Sequence, residues 1–174
     1  MLTFLRELFQ HMYWADALVW KSVLKLSHSK NEPRFKELLY HIHAVQHVYF
    51  RIWQNLPADI PKLTDFEKIT DLSRWGHEYH KNQSDFMDDL DESSLEELVN
   101  IPWADRVKEL IGRSPSPVTV VQTMIQVISH STYHRGQVNK VIRELDGEPL
   151  LVDFISWIWS GKPEISWPED NQVV

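Results

Sequence analysis

The sequence contains no cysteine, which excludes disulfides, thiolate zinc sites and cysteine nucleophiles. Any transition metal must therefore be held by histidine and carboxylate side chains. The chain also lacks a run of lysine and arginine, and its net charge of −7 argues against binding to nucleic acid or to an anionic membrane. No apolar run approaches the roughly 18 residues that span a bilayer, so we expect a cytoplasmic location.

The length and composition are those of an ordinary globular protein. A chain of 174 residues suits a single domain, which we place at 1–174, and buries roughly 70% of its unfolded surface in one core. Eight tryptophans and nine histidines are many for this length, so function is sought first among these residues.

The spacing of apolar residues predicts four long helices. We expect them at Leu2 to about Leu26, Pro33 to about Leu56, about Ile69 to Leu90, and Ser116–Pro117 to about Leu145. For the last helix, Ser116 is expected to be the N-cap and Pro117 the first helical residue. The fold class predicted is all-α: a four-helix bundle with an irregular crossover over 93–117 and a short Trp-rich C-terminal extension over 153–167.

Two histidines on the last long helix are spaced for metal binding. His130 and His134 lie four residues apart, which places both imidazoles on one face of a helix. On a helical wheel of the second helix, His41 lies roughly 60° from the centre of the apolar stripe, whereas His43 and His47 lie roughly 140° and 180° from that centre. We therefore expect only His41 to face the interior. That stripe consists of Leu38, Ile42, Val45, Tyr49, Ile52 and Leu56.

Several other residues are expected to have structural and not metal-binding roles. His77 and His80 are expected to be solvated surface histidines. Asp16 falls within the apolar arc of the first helix, where it is either a buried hydrogen-bonding residue, which we favour, or part of a site. Arg135 is interpreted as a surface or dimer ion-pair residue in preference to the alternative, a substrate clamp. Gly136, which costs about 1 kcal/mol relative to alanine within a helix, suggests a close approach between helices.

His41, His130 and His134 can converge on one point in a bundle. Three imidazoles leave one position open on a four-coordinate zinc ion, where water can ionise near pH ~7 or be displaced by a substrate thiolate or oxygen. The same donors suit Ni²⁺ or Fe²⁺, so the cofactor expected is one divalent transition metal.

Three stretches resemble motifs of the DinB/YfiT-like family of metal-binding four-helix bundle proteins. The segment 38–46, LLYHIHAVQ, is similar to the second-helix motif, and 130–137, HSTYHRGQ, to the fourth-helix motif. The segment 13–16, YWAD, resembles the family's Tyr-x-x-Trp-Ala-Asn stretch. The resemblance spans nearly the whole chain and implies that His41, His130 and His134 are the three metal ligands.

The resemblance also bears on residues around the metal. Gln46 stands where many members carry an acid, and Asp16 where many carry Asn; an amide at position 46 cannot act as general acid or base. Gln137, one turn beyond His134, is a candidate acceptor for the imidazole N–H, with an ordinary polar residue as the alternative. Asp16 and Gln46 are the other residues considered for this outer shell.

Family members include thiol-dependent transferases, predicted hydrolases and proteins with no assigned reaction, so the resemblance implies an enzyme of the first two kinds acting on a small molecule. Specific catalytic residues stay unknown. Members are commonly homodimers, which suits the wide apolar surface of the fourth helix, where Val121, Ile125 and Ile128 form a second arc. The alternative is a non-enzymatic dimeric helical module with a structural or vacant metal site.

Overall fold

The computed structural model describes residues 1–26 and 32–168, and within them the chain is all-α apart from one pair of two-residue strands. The α-helices are α1 Leu2–Lys25, α2 Pro33–Trp53, α3 Ile69–Asp89, α4 Ala104–Ile111, α5 Val120–Glu144 and α6 Phe154–Trp159. Short 3₁₀ helices lie at Leu63–Asp65 and Glu92–Glu96. The long helices pack together, with α1 and α2 each contacting both α3 and α5. All four predicted long helices are present.

Local side-chain chemistry sets two of the helix starts. At α2 the Glu32 side chain accepts a hydrogen bond from the Arg34 backbone N–H, and Pro33 occupies the first helical position. At α5 the hydroxyl of Thr119 accepts from the Gln122 N–H, while the Gln122 side chain accepts from the Thr119 N–H.

The predicted start of the last long helix at Ser116–Pro117 is wrong. Residues Val118–Thr119 form strand β2, which pairs antiparallel with strand β1, Leu98–Val99. The strand pairing holds the backbone extended up to the cap at Thr119, so the helix begins three residues later. The crossover also contains α4, a helix with no buried residue that the sequence did not predict.

The bundle interior contains a polar layer between two apolar clusters. One apolar cluster includes Trp20, Phe35 and Ile142, and the other includes Phe9, Met12 and Met124. At the level between them along the helices, α1, α2, α3 and α5 contribute buried polar side chains, namely Asp16, His43, Gln46, His80, Ser131 and Arg135. A hydrogen-bonded layer of this kind ties all four long helices together.

The interpretation of the second helix by its apolar stripe, in which only His41 faces the interior, is wrong for all three of its histidines. His43 is fully buried and His47 is largely buried against the Trp75 ring, whereas His41 is exposed. The stripe counted only apolar residues, but the buried face of α2 includes the polar layer and is rotated toward it. That face consists of Phe35, Leu39, Ile42, His43, Gln46, Phe50, Ile52 and Trp53.

The prediction of surface histidines on α3 is also wrong. His80 is 3% exposed and belongs to the polar layer. His77 is half-buried because its ring stacks on Trp167 and also lies against Tyr13. The Trp-rich extension therefore covers this face of α3, and α6 is the short helix predicted for it. No helix among the described residues is long and apolar enough to cross a membrane.

Candidate metal centre

The structure brings His41 of α2 together with His130 and His134 of α5. The Nε2 atoms of His41 and His130 are 3.0 Å apart, and one ligand nitrogen from each of the three residues lies within 4.8 Å of the others. His130 and His134 lie on neighbouring turns of α5. The packing of α2 against α5 places the ring of His41 beside them. His130 and His134 are half-buried and His41 is exposed, so the group lies at the surface of the bundle.

Gln137 fixes the orientation of one imidazole. Its Oε1 lies 2.8 Å from Nδ1 of His134, and a carbonyl oxygen can only accept, so Nδ1 carries the proton. Nε2 of His134 is therefore left with a lone pair available to a ligand. This is the arrangement in which a metal-binding imidazole passes its other N–H to an acceptor.

The electrostatics favour neutral imidazoles at His130 and His41. Burial lowers the pKa of His130 to about 4, and the proximity of His134 and His41 contributes in the same direction. Burial, followed by the effect of His134, also lowers the pKa of His41. Both rings are thus unprotonated at neutral pH, which is the state that coordinates a metal.

The dimensions of the group fit a divalent transition metal. Zinc–imidazole bonds of about 2.0–2.1 Å in a tetrahedron place two ligand nitrogens about 3.3 Å apart. The observed separation of 3.0 Å between the Nε2 atoms of His41 and His130 is close to that value. Among the described residues no Asp, Glu or further His joins this group, so it offers three candidate ligands, one fewer than a four-coordinate zinc ion takes.

Asp16 and Gln46 lie in the buried polar layer and not against the three histidines. Gln46 donates from Nε2 to Asp16 Oδ2 at 2.8 Å and to the Ser131 hydroxyl at 3.1 Å, and its Oε1 accepts from Nδ1 of His43 at 2.7 Å. The expected structural role of Asp16 is observed: its carboxylate holds neighbouring helices. Of the three outer-shell candidates, only Gln137 contacts one of the three histidines.

A second group, Asp16, His43 and His80, also has the residue types of a metal site, but the Asp16 carboxylate, both ring nitrogens of His43 and Nε2 of His80 are already hydrogen-bonded. Nε2 of His43 accepts a hydrogen bond of 2.9 Å from the Trp20 indole. The Asp16 carboxylate accepts from Arg135 at 2.7 Å, from His80 at 3.0 Å and from Gln46. A divalent cation would have to displace these donors beside the Arg135 charge, so this group is a hydrogen-bonded core and not a metal centre.

The ion pair inside that layer shifts the titration of its carboxylate. Burial alone would raise the pKa of Asp16, but the Arg135 charge and the His80 hydrogen bond outweigh it and hold the pKa well below its usual range. The interpretation of Arg135 as a surface or dimer ion-pair residue is wrong, since its side chain is 3% exposed. One feature of the sequence indicated this buried pair: Asp16 occupies an apolar position of its helix, where a carboxylate requires a buried partner.

The interpretation of Gly136 as a site of close helix approach is also wrong. Gly136 is exposed, and no heavy atom of the described residues lies within 4 Å of where its Cβ would be. The glycine that does allow a close approach is Gly76 on α3, whose Cβ would lie 2.5 Å from the His43 ring. Sequence reasoning missed Gly76 because it treated His43 as a surface residue.

Comparison with known families agrees with the motifs in α2 and α5. The model of the DinB family matches residues 1–165, which is nearly the whole chain. A search of curated proteins gave no match. The chain therefore belongs to the DinB family.

Proposed function

We propose that this DinB-family protein, with its long helices arranged as a four-helix bundle, is a metal-dependent enzyme in which His41, His130 and His134 hold one divalent ion. The observation that carries the proposal is the convergence of three imidazoles with no fourth ligand of the same group among the described residues. Zinc and nickel suit these donors best, and iron is the further choice.

The chemistry follows from the open position. A divalent ion held by His41, His130 and His134 would supply Lewis acidity toward water, a thiolate or a substrate oxygen. The protein contributes orientation, because Gln137 fixes the His134 ring, and access, because His41 is exposed. No carboxylate belongs to the group among the described residues, so a nucleophile that needs no protein base is favoured.

The two reactions consistent with this site are thiol-dependent group transfer and hydrolysis of a small electrophile. In the first, a low-molecular-weight thiol enters as its thiolate; in the second, water is the nucleophile. A panel of electrophiles assayed with and without added thiol separates them, since only transfer requires the thiol.

The premise of metal binding is tested by elemental analysis of untagged protein purified without a nickel column. The wild type is compared with the triple variant His41→Ala, His130→Ala, His134→Ala, and with His77→Ala as a control histidine outside the group. We expect about one metal ion per chain in the wild type and the control, and loss in the triple variant. Equal metal in all three proteins would contradict the proposal.

A second candidate function is a non-enzymatic dimeric module. The observation favouring a dimer is exposed apolar surface on α5, where Ile125 is 50% exposed and Tyr133, beside His134, is 66% exposed. We propose that this surface meets a second copy of the chain. A module without enzymatic function predicts that metal removal changes the melting temperature while no electrophile in the panel turns over, and sedimentation of Ile125→Glu against wild type tests the dimer itself.

A further inference from the structure

A cavity on the opposite pair of helices from the three histidines has the features of a second binding site. It has a volume of about 530 Å³ and lies between α1, α3 and the C-terminal extension. Volumes of 300–1,000 Å³ are typical of small-molecule sites. The group of three histidines is formed by α2 and α5, and none of its members lines this cavity.

The walls of the cavity are aromatic. Tyr13 and Trp14 come from α1, His77 from α3 and Trp157 from α6, and all four line the space. The rings of Tyr13, His77 and Trp167 all lie against one another, with centroids 5.2–6.2 Å apart, which holds that side of the wall rigid. Aromatic walls of this kind favour a flat ring that can stack on or pack edge-on against them.

Two buried polar groups at the cavity lack partners. His80 and Gln83 both line it, each is 3% exposed, and neither Nδ1 of His80 nor Nε2 of Gln83 has a hydrogen-bond partner among the described residues. A buried polar atom left unpaired is costly, so two of them at one cavity point to a bound molecule that satisfies both.

The chemistry of these two atoms is complementary to one type of ligand edge. Nε2 of His80 donates to the Asp16 carboxylate, which can only accept, so in the neutral imidazole Nδ1 is an acceptor. The amide nitrogen of Gln83 is a donor, and residues three apart on a helix are neighbours on its surface. The two residues that line the cavity thus offer an acceptor and a donor, and small rotations of these nearly covered side chains would turn both toward a ligand edge that carries an N–H beside a C=O.

The mouth of the cavity has no strong charge preference. Arg6 already donates to the backbone carbonyls of Met87 and Asp88, and Lys162 is paired with Glu7. Acidic and basic side chains both occur around the opening. A neutral ligand is therefore favoured over a highly charged one.

We propose that this cavity binds a flat, neutral aromatic molecule that carries a lactam or carboxamide edge, with its N–H on Nδ1 of His80 and its C=O on Nε2 of Gln83. The site is separate from the metal centre and requires no metal. It uses the Trp-rich C-terminal extension as one wall, so it depends on residues 157–165 as well as on the long helices.

The probe is 2-quinolone, titrated calorimetrically into the full chain at about pH 8 with a chelator present, so that no metal takes part. We expect one molecule to bind per chain. Binding should weaken at least about tenfold for 1-methyl-2-quinolone, which lacks the N–H, and for quinoline, which lacks the C=O. Equal binding of the three compounds, or no binding of 2-quinolone up to about 1 mM, would overturn the proposal.

Variants locate the site. Gln83→Leu should weaken 2-quinolone at least about tenfold, whereas Asn82→Leu, an exposed neighbour on α3 that does not line the cavity, should leave the affinity unchanged. His134→Ala should also leave it unchanged, and loss of binding there would place the ligand at the metal centre and refute the proposal. Ser84→Trp, at an exposed lining position, should block entry even if Gln83→Leu fails to fold; undiminished binding would refute the site.

Discussion

The guanidinium of Arg135 donates a hydrogen bond of 2.7 Å to the carboxylate of Asp16, and the two side chains, 119 residues apart in sequence, are each 3% exposed. This pair joins α1 to α5 one residue beyond His134. It is surrounded by hydrogen bonds from His80 and Gln46 to the same carboxylate. The pair is therefore the centre of the polar layer that sets how the long helices lie against one another.

Removing one partner of the pair should be strongly destabilising. Arg135→Met leaves the Asp16 charge buried with one fewer donor, and we expect a loss of roughly 3–5 kcal/mol in the free energy of unfolding, measured by urea denaturation. The control Arg143→Met, at an exposed position on the same helix, should change it by less than about 0.5 kcal/mol. Replacing both partners, as Asp16→Leu with Arg135→Met, should recover part of the loss, and strictly additive losses would contradict this account.

The long helices and the pair of histidines on α5 could be predicted because their signals are local. Apolar spacing defines a helix within a few turns, and His130 and His134 share a face of α5 by geometry alone. The position of His41 opposite them was expected from an apolar stripe that the structure places elsewhere. His41 does lie beside His130 and His134, but it is exposed and does not occupy the interior face on which it was expected.

The polar layer could not be predicted in this way because its partners are distant in sequence. His43, Gln46 and His80 are hydrophilic by residue type, and only the tertiary contacts with Asp16 and Trp20 show that they are buried. A helical wheel that scores hydrophobicity places such residues outside. For the same reason, the cavity lined by Gln83 and the C-terminal extension had no sequence signal.

Metal affinity should depend on Gln137. Gln137→Leu removes the acceptor that holds the Nδ1 proton of His134, and we expect the affinity for Zn²⁺ to fall about 10–100-fold. Competition against a chromophoric chelator measures it. Gln137→Glu, which retains an acceptor, should bind at least as tightly as the wild type. Gln126→Leu, exposed on the same helix, serves as the matched control, and a similar loss there would remove the special role of Gln137.

Stability should fall with acidification because His47 is buried in its neutral form. Burial lowers its pKa to about 3, although the hydrogen bond to the Trp75 carbonyl opposes the shift. The unfolded chain takes up this proton near pH 6.5 while the folded chain does not, so the contribution is complete above about pH 6.5 and is lost as pH falls toward the folded pKa.

The expected slope from His47 is up to about 1.4 kcal/mol per pH unit between about pH 6 and pH 4. His47→Gln keeps an N–H for the Trp75 carbonyl but does not titrate, so its unfolding free energy should fall less steeply over the same range. Urea denaturation at several pH values measures both proteins. Parallel curves would show that His47 contributes nothing to acid sensitivity.

Two glycines in helices should respond to alanine with opposite signs. In Gly76→Ala the new Cβ would lie 2.5 Å from a His43 ring that Trp20 and Gln46 hold in place by hydrogen bonds, so the ring cannot move aside without losing them. We expect a loss of about 1–3 kcal/mol in unfolding free energy.

In Gly136→Ala the Cβ meets nothing within 4 Å among the described residues, so the lower entropy of the unfolded chain should stabilise the fold by about 0.5–1 kcal/mol. Thermal and urea unfolding of the two variants measure the difference. If Gly136→Ala were instead destabilising, a surface outside the described contacts must pack on α5 at that position, and the variant's sedimentation would then show whether a second copy of the chain provides it.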